Sequence, residues 1–86
     1  MEIKVELFGA FSDLSDSRAI MLELKEGACV ADLRSELKNW LNHNGHTEKA
    51  TLLDASAIST ADKILSESEP LAGSDRVAVL PPVCGG

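Results

Sequence analysis

The chain has 86 residues, a formal net charge of −6 and a hydrophobic fraction of 44%. That length suffices for one domain with a single small core. The negative charge argues against nucleic acid or an anionic membrane as a partner, and it suits a partner with a basic docking surface. The aromatic residues are Phe8, Phe11 and Trp40, so the core must be mainly aliphatic.

The first half predicts two strands and one helix. Every second residue is apolar over residues 3–7, between charged residues, and again over residues 20–24, between Met21, Glu23 and Lys25. This alternation predicts two strands that most simply pair antiparallel. Phe11 and Leu14 suit one face of a short helical turn between them. From Val30 to Leu41 the apolar residues recur at helical spacing, with Arg34 outside or on the flank. Cys29 occupies the place of a capping Ser or Thr, which predicts a weak helix cap.

The second half predicts further strands. Residues 51–59 and 63–65 are interpreted as two short strands around Thr60-Ala61-Asp62, and residues 67–75 as loop and turn. Arg76 to Leu80 has the nearly continuous apolar character of a strand buried on both faces. Together these elements predict an α+β protein of β-grasp type. Its mixed sheet would have four to five strands, with one main helix packed on one face.

The sequence ends with Leu80-Pro81-Pro82-Val83-Cys84-Gly85-Gly86. The two prolines end a strand and hold the chain extended, so the last four residues can reach about 13 Å at about 3.3 Å each. We therefore expect one domain over residues 1–80 and a projecting arm over residues 81–86. Glycines make the tip of this arm slender, and its reactive group would be the carboxylate of Gly86. A loose tail that ends in two glycines by chance is the alternative.

No catalytic constellation is apparent. His43 and His46 are too few for a zinc site, which needs three or four ligands, and we expect no metal and no bound cofactor. Cys29 and Cys84 do not form a disulfide framework. The first residues lack a signal peptide's pattern, and no apolar run is long enough to span a bilayer, which predicts a cytoplasmic protein.

Several motifs resemble the MoaD/ThiS family of ubiquitin-like sulfur carriers. The opening Ile3-Lys4-Val5-Glu6-Leu7-Phe8 and the helix pattern Val30-x-x-Leu33-Arg34-x-x-Leu37 are similar to that family, most of all to its molybdopterin synthase small subunit branch (MoaD). The most specific likeness is Pro70-Leu71, Asp75-x-Val77 and the Pro-Pro-Val-x-Gly-Gly ending. The chain departs from the family in the place of Gly73, in Thr60-Ala61 where Val-Asn is frequent, and in Leu80 where Phe is frequent.

The resemblance implies a function for the arm. Gly86 would be adenylated by an adenylyltransferase similar to ubiquitin-activating enzymes, which consumes ATP, and then converted to a thiocarboxylate by a sulfurtransferase or another persulfide donor. The arm would deliver sulfur inside the molybdopterin synthase large subunit. The partner-binding residues would be Leu80, Pro81, Pro82, Val83, Cys84 and Gly85. The chain would not be catalytic alone, but would form part of a sulfurtransferase complex.

Other functions stay open. A carrier for another pathway, such as thiazole or a specialised thiolated metabolite, uses the same chemistry. A protein modifier would join Gly86 to lysines, and a plain interaction module would use only the sheet face. Cys84 is either a sulfur-handling thiol or a small residue at a variable position. We favour the second, because a nearby carboxylate tends to raise the pKa of a thiol and leaves little thiolate.

Overall fold

The computed structural model describes residues 1–72 and 76–82. The elements in chain order are β1 (Glu2–Leu7), a 3₁₀ helix (Gly9–Leu14), β2 (Ala19–Glu23), α1 (Val30–His43), α2 (Thr47–Asp54), β3 (Ala57–Ser59) and β4 (Arg76–Leu80). Within these ranges the strands form one four-stranded sheet in the order β2-β1-β4-β3. β1 is antiparallel to β2 and parallel to β4, and β3 is antiparallel to β4. The predicted α+β, β-grasp arrangement and the antiparallel β1–β2 pair are confirmed.

The core lies between one face of the sheet and the two helices. Alternate residues of β1 are buried, as the charged and apolar alternation predicts, and every fourth or third residue of α1 is buried against them. One cluster contains these side chains together with buried residues of α2, β3 and β4. Its fully buried large members include Ile3, Val5, Leu7, Phe11, Leu33, Leu37, Leu41, Leu53, Ile58 and Val79.

The N-terminus of α1 is held by the loop before β4 and by Asp32. The Val30 and Ala31 N–H groups donate to the backbone oxygens of Glu69 and Glu67, at 3.0 and 2.9 Å. The carboxylate of Asp32 accepts hydrogen bonds from the Cys29 backbone N–H at 2.9 Å and from the Cys29 thiol at 3.4 Å. These two hydrogen bonds lower the pKa of Asp32 below its usual range, and the bond from the backbone N–H has the larger effect. A carboxylate in the first turn also suits the helix dipole. The third residue of the helix thus accepts the hydrogen bond from the N–H of the cap residue, as in a capping box.

The strand predicted over residues 51–59 is wrong for its first half. Residues 47–54 form α2, and only Ala57–Ser59 form a strand. Ala50 and Leu53, three residues apart, are buried, which is a helical spacing that the neighbouring Leu52 obscures in the sequence. The strand predicted over residues 63–65 is reduced to an isolated bridge between Ile64 and Ser59.

β4 is buried on one face only, so the prediction of burial on both faces is wrong. Val77 and Val79 are 1% and 0% exposed, whereas Ala78 and Leu80 are partly exposed. The helices cover one side of the sheet, and the small Ala78 makes the strand apolar in sequence without covering its other side. The second face of the sheet is therefore open at β4.

Arg34 is part of the interior framework rather than a residue of the outer flank. Its guanidinium donates to the backbone oxygens of Leu53 at 2.5 Å and Ser56 at 2.9 Å. It also donates to both carboxylate oxygens of Glu67, at 2.9 and 2.8 Å. One side chain of α1, 18% exposed, thus holds the end of α2 and the loop before β4.

Candidate functional site

The described part of the predicted arm begins where β4 ends. Leu80 is the last residue of β4 and pairs with Ala57 of β3. Pro81 and Pro82 follow with partly exposed side chains. Neither proline has an N–H to donate, which accounts for the end of the strand at Leu80. The other predicted site residues, Val83, Cys84, Gly85 and Gly86, lie outside the described residues.

β4 is a central strand, which makes it a firm base for the residues after it. It is hydrogen-bonded to β1 on one side and to β3 on the other, and its register with β1 runs from Lys4–Arg76 to Leu7–Val79. A strand bonded on both sides, with two fully buried valines, has low freedom to shift along its axis. The position at which Pro81 leaves the sheet is therefore set by the core itself.

An apolar surface adjoins this point on the open face of the sheet. We call it the exit surface and define it by Phe8, Ala57, Ile64, Ala78 and Leu80. Phe8 is 47% exposed and Ile64 is 68% exposed, so two large apolar side chains of this surface are accessible to a partner. Most of the surface borders an open groove of about 580 Å³, lined among others by Phe8, Ala78 and Leu80.

A tight turn forms the far wall of the groove. The Thr60 N–H donates to the Lys63 oxygen at 2.9 Å, and the Leu65 N–H donates to the Ile58 oxygen at 2.8 Å. This turn places Ile64 opposite Ser59 and leaves Ala61 and Asp62 exposed. The residues that depart from the family pattern, Thr60 and Ala61, thus belong to the groove beside the exit surface.

The groove carries charges of both signs. Glu6 and Arg76 lie across the β1–β4 pair with 3.8 Å between carboxylate and guanidinium. Arg76 is 67% exposed, so this pair contributes little to stability. Asp62 on the turn is exposed as well. The rim can therefore contribute to partner orientation, while the apolar floor supplies contact area.

The other candidate groups form no reaction centre. His46 stacks on Trp40 with ring centroids 6.2 Å apart, and His43 closes α1. Within residues 1–72 and 76–82, no three His, Cys, Asp or Glu side chains are grouped so that they could hold a metal ion. Neither helix in those ranges is long and apolar enough to cross a membrane.

Two features beside the arm were missed from the sequence. Glu2, Lys4 and Glu6 lie on the exposed face of β1, and Phe8 follows them at the same spacing of two residues. This alternation alone would have indicated an exposed aromatic residue. Gly9 contacts Pro81, a contact between residues far apart in the chain that no local pattern announces. The structure thus adds a surface and a contact to the predicted segment.

Comparison with known proteins decides the family. The ThiS family model matches residues 5–86, which is nearly the whole chain. The chain belongs to the ThiS family. It is accordingly a ubiquitin-like sulfur carrier of the MoaD/ThiS type, as the motifs predict. A search of the curated proteins found no match.

Solved structures give the same fold. A putative molybdopterin converting factor, subunit 1, from Pyrococcus furiosus is 31% identical over 95% of this chain and 98% of its own, with a TM-score of 0.71. SAMP1 from Haloferax volcanii is 22% identical over both full chains, with a TM-score of 0.72. Subunits 1 and 2 of a molybdopterin-converting factor from Helicobacter pylori form a complex that contains a similar chain, 24% identical over both full lengths, with a TM-score of 0.62.

Proposed function

We propose that this protein carries sulfur as a thiocarboxylate on Gly86 and donates it in molybdopterin biosynthesis. The similarity to the putative molybdopterin converting factor subunit 1 supports this branch of the family, because it extends over nearly both full chains. The observation that carries the proposal is the placement of Pro81. It leaves a central strand directly beside a partly exposed apolar surface, so a partner docked there would receive the following residues.

The chemistry requires activation of the carboxylate. A terminal carboxylate has a pKa of about 3.3–3.7, so at neutral pH it is an anion and a poor electrophile. Attack of its oxygen on the α-phosphorus of ATP expels pyrophosphate and gives an acyl adenylate. The terminal sulfur of a persulfide then displaces AMP and forms an acyl disulfide. A thiol of the donor protein cleaves the S–S bond, which releases the thiocarboxylate and leaves a disulfide on the donor.

The acid, base and oxyanion-stabilising groups for these steps would come from the partners. One partner is an adenylyltransferase similar to ubiquitin-activating enzymes, and another is a sulfurtransferase. The molybdopterin synthase large subunit would receive the sulfur, and the complex of subunits 1 and 2 from Helicobacter pylori supports a partner of this kind. Each would contact the exit surface, since the last four residues extend only about 13 Å beyond Pro82 at about 3.3 Å each.

Binding to the large subunit tests the pathway. We expect the purified chain to form a stable complex with the molybdopterin synthase large subunit of the same organism, and calorimetry gives its affinity and stoichiometry. The thiazole-forming partner of the same organism serves as the control. Binding to that partner and not to the large subunit would contradict the molybdopterin assignment while leaving the sulfur chemistry at Gly86 in place.

A protein modifier is the second candidate. The similar structure of small archaeal modifier protein 1 from Haloferax volcanii, 21% identical, shares the fold, and an acyl adenylate at Gly86 would also react with lysine amines. Adducts of the chain on other proteins, isolated under denaturing conditions, would favour this function. A variant without Gly86 should lose both the adducts and the adenylation.

A further inference from the structure

The ring of Pro81 occupies the space that a side chain at Gly9 would need. A Cβ built on Gly9 would lie 2.8 Å from Cγ of Pro81 and 3.6 Å from its Cδ. The first distance is shorter than the 3.4 Å at which ordinary contact begins. The ring of Pro81 therefore rests on the bare backbone of Gly9. Gly9 also has a φ of +55°, in the left-handed region that glycine adopts without strain.

The backbone under this ring is held in place from several sides. Phe11, two residues on, is 0% exposed in the core. The Ser12 hydroxyl donates to the Gly9 oxygen at 2.8 Å. Lys49 of α2 donates to the Ala10 oxygen and forms an ion pair with Asp13 at 3.2 Å. Since the 3₁₀ helix is tied to the core and to α2, a side chain added at Gly9 would displace the proline ring rather than the helix.

We infer that Gly9 is a positioning residue for the reacting end of this carrier. The core sets the point at which Pro81 leaves the sheet. The missing side chain of Gly9 leaves room for the Pro81 ring, and thereby sets the direction in which the chain continues. This inference rests on the proposed function for its consequence in the reaction, but the contact itself concerns the free protein. Gly9 would act through Pro81.

A small displacement at Pro81 is enough to matter. To bring Cγ of Pro81 from 2.8 Å to the 3.4 Å of ordinary contact, the ring must move by about 0.6 Å. Prolines at positions 81 and 82 have fixed φ, so a rotation at this point is passed on to the residues beyond. A misplacement of about 1 Å at a reacting atom can lower a rate by about 100-fold.

Two glycines serve as matched controls. Gly27 and Gly45 have φ of +84° and +80°, and a Cβ built on either meets nothing within 4 Å. Gly27→Ala and Gly45→Ala therefore carry the backbone cost of alanine at positive φ without any contact. Gly9→Ala should lower Tm by about 5 °C more than either control, a shift that about 1 kcal/mol produces in a domain of this size. Pro81→Ala removes the other partner of the contact.

The direction of the chain end is measured in the free protein. A nitroxide is attached to Cys84 in a Cys29→Ser background, and paramagnetic broadening of backbone amides records which parts of the domain the label approaches. Gly9→Ala should change the set of broadened amides, whereas both controls keep it. In a Pro81→Ala background, adding Gly9→Ala should cause no further change. A Gly9→Ala pattern equal to that of the controls would overturn the inference, whether or not the chain carries sulfur.

The reaction supplies the second measurement. With the adenylyltransferase and ATP, Gly9→Ala should lower kcat of pyrophosphate exchange by about 10-fold or more, while KM for the carrier stays within about twofold, because docking is intact and only the reacting end is misplaced. Gly27→Ala and Gly45→Ala should match the unaltered chain. Equal kcat in all three variants would contradict the inference, whereas no exchange with the unaltered chain would contradict the proposed function alone.

Discussion

Replacement of Arg34 by Met should destabilise the domain by about 2–4 kcal/mol. The Ser56 oxygen loses a hydrogen bond of 2.9 Å from a charged donor, and such bonds contribute about 1.5–3 kcal/mol each. The Leu53 oxygen is affected less, because it keeps the Ser56 N–H at 3.0 Å. The pair with Glu67 adds less than about 1 kcal/mol, since the Glu67 side chain is 52% exposed.

Lys38 is the matched control for Arg34. It lies one turn further along α1 and also reaches the region of α2, through an ion pair with Asp54 at 2.8 Å. Both of these side chains are more than 40% exposed, at 42% and 53%. Lys38→Met should therefore change the free energy of unfolding by less than about 0.5 kcal/mol. The two variants remove the same charge and keep similar helix propensity.

Urea denaturation followed by circular dichroism gives both free energies of unfolding. The midpoint of Arg34→Met should fall well below that of the unaltered chain, with an unchanged slope, and the midpoint of Lys38→Met should stay close to it. Equal losses in the two variants would refute the reasoning. Equal losses would mean that the positive charge on α1 determines the stability, and that the hydrogen bonds to the carbonyl oxygens at the end of α2 contribute nothing.

Three further predictions concern acid stability, oxidation and docking. The hydrogen bonds from Arg34 lower the pKa of Glu67. The contribution of this carboxylate to the free energy of unfolding is therefore present above the unfolded-state pKa and is lost as pH falls through the folded-state pKa. Below about pH 5, the urea midpoint should fall less in Glu67→Gln than in the unaltered chain. Air oxidation of the isolated protein should give disulfide dimers on non-reducing gels, and Cys84→Ser should abolish them; an unchanged monomer would refute this. Phe8→Asp should weaken binding to the large subunit about 10-fold or more. Met21, 54% exposed on the edge strand β2, is the control, and Met21→Asp should leave this binding unchanged. Equal effects of the two substitutions would contradict docking on the exit surface.

Periodicity was sufficient for the elements with one clear buried face. β1 and α1 follow their alternating and helical spacings, and the end of β4 at Leu80 follows from the missing N–H groups of two prolines. α2 was missed because residues 51–59 contain apolar residues at both helical and alternating spacings. Packing against α1 decides between them, since it buries Leu53 and Ala50 together.

The features that surround the candidate site depend on tertiary contacts. Arg34 is drawn inward by carbonyl oxygens 19 and 22 residues away, which no window of α1 contains. Gly9 and Pro81 lie close together in the fold although they are far apart in the sequence. The two-sided burial expected for β4 failed because Ala78 is apolar but faces the uncovered side of the sheet. The sequence alone was enough to identify the motif of the last residues. It did not indicate the tertiary contacts that hold the strand and the proline before that motif.

Mass spectrometry of the intact protein from its native cell tests the central claim most directly. Rapid isolation without strong base or oxidant should yield a fraction of the chain with one oxygen exchanged for sulfur, and fragmentation should place the exchange on Gly86. The same fraction should be absent from a cell that lacks the adenylyltransferase. If the protein carries only an ordinary carboxylate at Gly86 in cells that are actively making molybdopterin, the account is contradicted.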